Sequence, residues 1–93
     1  MLIEHQYVSN KGSFYVEENG KRLAEMIYSL SGNELMIIEH TEVSDDLRGK
    51  NVGYQLVHAA VEYARTNQIK ILPLCPFARS VFDKKQAFGD VLK

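Results

Sequence analysis

The hydrophobic pattern of this chain changes period once, near residue 45, and that change restricts the folds open to it. Before it, apolar residues sit in short alternating runs. Gly12 to Glu18 (GSFYVEE) joins aromatic and β-branched residues, and Asn19-Gly20 follows. Asn-Gly between two such runs signals a hairpin, because both residues tolerate positive φ in a type I′ turn. In the return run, Lys21 to Leu30, Leu23, Glu25, Ile27 and Ser29 alternate with Ala24, Met26, Tyr28 and Leu30. Ser31-Gly32-Asn33 marks a second turn before Glu34 to Val43 (ELMIIEHTEV). An antiparallel three-stranded meander is predicted. After the change, Val52, Leu56, Ala60 and Tyr63, flanked by Val57, Val61 and Ala64, give a helical stripe from about Asn51 to Asn67.

The remaining segments complete an α/β fold. Lys70 to Cys75 (KILPLC) is a short apolar strand in which Pro73 indicates an edge, bulge or bend. A strand, a helix of this length and another strand favour a crossover with parallel pairing. Pro76 suits the first turn of a last helix, about Phe77 to Ala87, and the tail from Phe88 is a strand or ordered coil. The predicted order is β-β-β-α-β-α. At 93 residues, a single domain spanning residues 1–93 is the expectation.

Bulk properties narrow the partners. A net charge of −1 provides no global field for nucleic acid or an acidic membrane, so any basic site is local. The one cysteine, Cys75, permits no internal disulfide and suits a reducing, cytoplasmic setting. His5, His40 and His58 are too scattered for a zinc site, and no metal is expected. No apolar run approaches the roughly 20 residues of a membrane helix. The oligomeric state stays open, a monomer being the simplest case.

Between the third strand and the main helix lies TEVSDDLRGKNVG, residues 41–53. A helix N-terminus offers unpaired N–H groups and partial positive charge, which attract anions. Arg48 adds a fork of donors, Lys50 a point charge, and Gly49 and Gly53 allow close backbone approach. Asn51 is the non-glycine type best suited to a left-handed conformation. The competing explanation is that Ser44 or Asp45 caps the helix, Gly49 relieves a turn and the basic side chains are merely solvated.

At these residues the chain resembles the GNAT superfamily of acetyl-CoA-dependent N-acetyltransferases, whose pyrophosphate loop reads Arg/Gln-x-x-Gly-x-Gly/Ala between a strand and a helix. Here the loop is Arg48-x-x-Asn51-x-Gly53, with asparagine at the middle glycine. The chain is most similar to very small GNAT-like proteins that lack N-terminal helices between the first two strands. Their hallmarks correspond to His40-Thr41-Glu42-Val43 and Pro73-Leu74-Cys75-Pro76.

The resemblance implies a minimal GNAT-like fold in which the third strand splays from the strand ending at Cys75 and acetyl-CoA threads the gap. Thr41 and Val43 would bind pantetheine. Arg48, Gly49, Lys50, Asn51, Val52, Gly53 and Tyr54 would hold the pyrophosphate. Pro76, Arg79 and Phe82 on the last helix would flank the cofactor, with Lys84 and Lys85 as further candidates near the nucleotide. Phe82 reads more readily as core and the lysines as a solvated face. Glu42 is the candidate base, with His40 two residues earlier on the same face unless a bulge intervenes. The last helix carries Phe82 and no tyrosine, the residue type of the family's usual general acid. Cys75 therefore becomes a candidate relay, acid or pocket wall, against a plain buried cysteine. The implied activity is acetyl transfer to an amine of a small molecule, peptide or protein. The alternatives are a non-catalytic CoA-binding module and a self-acylating cysteine protein.

Overall fold

The computed structural model describes residues 2–93. Its five-stranded sheet has the order β1 (Glu4–Val8), β2 (Lys11–Glu18), β3 (Lys21–Ser31), β4 (Leu35–Val43) and β5 (Lys70–Pro73). The first four strands form an antiparallel meander, and β5 joins β4 in parallel after the crossover helix α1 (Val52–Asn67). A second helix, α2 (Pro76–Lys84), precedes a 3-10 segment, Gln86–Val91. No described helix is long and apolar enough to cross a membrane.

The expected order lacks β1. EHQYV has little apolar character, and as an edge strand it buries little on either face. His5 ties it to the core, stacking on Phe14 at 4.1 Å and bonding Tyr28 Oη at 2.6 Å. The last helix ends at Lys84 rather than Ala87, and a 3-10 segment occupies most of the tail. Only Leu92 makes a strand-like bridge, to Ile71. The Asn19-Gly20 turn has φ of 53° and 76°, as the hairpin signal requires.

Alternation on the strands and the stripe on α1 meet in one core. Val16, Met26, Tyr28, Met36 and Ile38 face Leu56, Val57, Ala60 and Val61, all essentially inaccessible to solvent. Both helices pack on this face. The opposite face carries half-exposed Ile27, Leu35, Ile37 and Leu72 and remains bare of helices. On it, Arg22 lies over the Tyr15 ring and bonds Ser13, Gln6 and Glu25.

Candidate active site

Two local departures from regular structure build the site. The first is a bulge in β4. Tyr28 pairs with Ile38, but Ile27 pairs with His40, leaving Glu39 as the extra residue. Met36 and Ile38 point to the core before the bulge. After it the parity is reversed, so His40 and Glu42 turn to the bare face and Thr41 and Val43 to the helix side. Glu39 is held on the bare face by Lys11 Nζ and Ser29 Oγ, each at 3.0 Å. These donors keep its carboxyl below its ordinary value. Because the bulge precedes His40, its relation to Glu42 survives: His40 Nε2 lies 3.1 Å from Glu42 Oε1.

The second departure is an early end to β5. The parallel ladder runs only from Leu35↔Lys70 to Ile38↔Pro73. Leu74 and Cys75 both donate their N–H groups to the Ile38 carbonyl and then turn into α2. Beyond Ile38 no described strand pairs with the outer edge of β4, and the two strands part.

Across the gap, Cys75 donates its thiol to Thr41 Oγ1 at 3.4 Å. Cys75 is the N-cap of α2, with Pro76 in the first turn. Burial pushes its thiol pKa up, but bonds from the Thr41 side chain and the Ala78, Phe77 and Thr41 backbones outweigh that, and the net shift is downward.

The opening leads into a cleft of about 390 Å³. Thr41 and Val43 form its strand wall, and Arg48, Gly49 and residues 51–54 its loop and helix wall. Ser44 does cap a helix, but it is the 3-10 turn Asp45–Leu47, where its Oγ accepts the Asp46 N–H. The N-cap of α1 is Asn51, in the left-handed conformation (φ 60°, ψ 31°) and making no side-chain capping bond. The capping explanation therefore does not account for α1. Its mouth lacks a side-chain cap and an acid in its first turn, and it remains open to an anion. Arg48, 80% exposed, rests on Asp45 at 2.7 Å.

The sequence-predicted residues separate into two groups. Thr41, Val43, Arg48, Gly49, Asn51, Val52, Gly53 and Tyr54 line the cleft. Lys50 is exposed just outside it, its carbonyl accepting from Gln55. Pro76 and Arg79 lie on the exposed surface of α2, and Phe82 is buried edge-on to Phe88. Phe77, absent from the sequence-based set, lines the cleft and covers Gly53 so closely that a Cβ there would strike its ring. A phenylalanine one residue after Pro76 was the only sequence signal for it. On the bare face, Glu42 borders a second cavity of about 240 Å³ opposite Glu25, which Arg22 neutralises.

Residues 13–91 match the GCN5-related N-acetyl-transferase family. The chain belongs to that family. A GCN5-like protein from Staphylococcus aureus, solved by NMR, is 39% identical over 97% of this chain and 87% of its own, with a TM-score of 0.72. Two more distant enzymes share the fold. Tetrahymena GCN5 has a TM-score of 0.66 at 15% identity, covering 81% of this chain and 49% of its own. The aminoglycoside N-acetyltransferase AAC(6')-Iy, solved with CoA and with a CoA bisubstrate analogue, has a TM-score of 0.58 at 16% identity for the analogue complex, covering 88% and 63%. No protein of curated function matches the sequence significantly. Asn51, the residue the loop resemblance aligns with a glycine, adopts a positive φ.

Proposed function

We propose that this chain binds acetyl-CoA along the free edge of β4 and transfers the acetyl group to an amine arriving from the bare face of the sheet. The observation that carries this proposal is the unpaired edge of residues 39–43, beside a cleft that ends at an uncapped helix mouth. The pantetheine amides pair with that edge next to Thr41 and Val43. Backbone N–H groups of Gly49 and residues 51–54 receive the pyrophosphate, with side-chain charge from Arg48 and Lys50, whose own N–H groups bond the Asp45 and Leu47 carbonyls. Phe77 joins this set, while Pro76, Arg79 and Phe82 support α2 around it.

The amine nitrogen attacks the thioester carbonyl, and the C–N bond forms as C–S breaks. The Glu42 carboxylate accepts the amine proton directly or through water, with His40 beside it as its orienting partner. The departing CoA thiolate takes the Cys75 thiol proton, and solvent restores that proton. A tyrosine is absent from α2, and the lowered Cys75 pKa favours this role. The same pKa shift supports a second route. In it the Cys75 thiolate takes the acetyl group with release of CoA, and the acetyl-cysteine then yields to the amine. The acceptor class is a peptide or protein amine or a polyamine, since no described helix covers the approach.

Free CoA release from acetyl-CoA across a panel of peptides and polyamines tests the proposal. Amine-dependent release is expected. Binding of acetyl-CoA with no release for any amine would overturn transfer and leave a binding module. Mass spectrometry of the same mixtures separates the two routes, because only the second gives an acetylated Cys75.

A further inference from the structure

The bare face of the sheet carries apolar side chains that the core does not use. Ile37 and Leu72 stand directly opposite each other across β4 and β5, and Leu35 lies two residues before Ile37 on the same side. All three are half-buried, and no described helix packs over them. Alternation from the buried Ile71 and Pro73 places Leu74, 60% exposed, on this side too, where the chain leaves the sheet. Its N–H bonds the Ile38 carbonyl, so the patch runs up to the point where β4 and β5 part. From there Glu42 lies two residues, about 7 Å, beyond His40 along β4.

The charges bordering the patch are already paired on the face itself. Lys11 Nζ lies 3.0 Å from Glu39, and Arg22 pairs with Glu25, which stands opposite Glu42. Glu42 has His40 as its partner. A polyamine carries an ammonium every few carbons. Beyond the reacting amine, its other charges would meet neutralised carboxylates or apolar side chains, and an unpaired charge on an apolar surface is costly. A peptide lysine brings a single ammonium, and its neighbours are free to be apolar. We infer that the acceptor is a lysine of a peptide or protein with a large apolar residue one or two positions away, which packs on Ile37, Leu72 and Leu74. The inference rests on the proposed acetyl transfer and narrows its acceptor. None of these three side chains is assigned to acetyl-CoA binding or to proton transfer.

Amine-dependent CoA release tests it, measured for spermidine and for two N-terminally blocked peptides, Gly-Leu-Lys-Leu-Gly and Gly-Ser-Lys-Ser-Gly. Wild type is expected to favour the leucine peptide over both other amines by about tenfold in kcat/KM, the scale of burying one apolar side chain on a partly open surface. Between the two peptides the difference falls in KM, because the contact is the same in the ground and transition states. In an Ile37→Thr/Leu72→Thr double variant the leucine peptide drops to the level of the serine peptide, whose own kcat/KM matches wild type. Leu74→Ser, outside the strands, moves the preference the same way without altering the sheet. Equal kcat/KM for the two peptides, or a preference that survives in both variants, overturns the apolar surface and leaves acetyl transfer intact. Faster turnover of spermidine than of either peptide overturns it in favour of a polyamine. If acetyl-CoA binds and no amine releases CoA, the transfer proposal fails and the surface falls with it.

Discussion

Within β4, residues 35–38 and residues 39–43 share β3 as a neighbour on one side and differ entirely on the other. The first half is clamped between β3 and β5, with Met36 and Ile38 fully buried under the helices. The second half has a bulge at its start, a free outer edge and side chains divided between a cleft and the bare face. One half supplies cohesion and the other leaves backbone groups available to a ligand. Within one strand, the chain pairs a packed scaffold with a free edge by interrupting a ladder rather than by adding an element.

The largest expected effect belongs to the open half. Glu42→Gln should lower amine-dependent CoA release by about 10²–10⁴-fold, the span of general base catalysis, while calorimetry shows acetyl-CoA affinity unchanged. An unaltered rate would remove Glu42 as the base. In the clamped half, Ile38→Ala should cost about 2–5 kcal/mol in chemical denaturation, because a fully buried side chain leaves a cavity between sheet and helices. A loss below about 1 kcal/mol would mean that the two halves differ less in packing than their burial indicates.

At the mouth of α1, Arg48→Glu should weaken CoA binding by about tenfold with the denaturation midpoint unchanged, since the guanidinium pairs among the described residues only with the exposed Asp45 carboxylate. Unchanged affinity would detach the loop from the site.

The smallest effect lies far from β4, at the β1 edge. Burial lowers the His5 pKa below its ordinary 6.5, so the folded chain favours neutral imidazole. The stability from that preference is complete above about pH 6.5 and is lost as pH falls from there through the folded-state pKa. Thermal denaturation from pH 7.5 to 5 should show this loss, and His5→Phe should flatten it. A slope identical in wild type and variant would assign the pH dependence elsewhere.

Much of this was legible in the chain. The Asn19-Gly20 hairpin, the α1 stripe and Pro76 opening α2 each follow from local stereochemistry, which nearest neighbours in sequence decide, whereas the strand expected to reach Cys75 stops at Pro73. The loop at residues 48–53 was legible because residue types that tolerate positive φ recur beside basic ones. β1 was not, because it is anchored by His5, a residue whose packing against Phe14, Tyr28 and Tyr63 exists only once the other elements have assembled. Phe77 was missed for the same reason, since its contact with Gly53 crosses between two helices.

Sequence by itself determined the family, the order of the main elements and the residue types available for chemistry, since periodicity, turn chemistry and motif spacing are local properties. Tertiary structure alone decided that Glu39 is bulged, that Glu42 and His40 therefore face the bare side, and that Ser44 caps a 3-10 turn and leaves α1 open. The physical reason is that strand register and helix capping depend on long-range pairing. A shift of one residue in that pairing reverses which face every later side chain occupies.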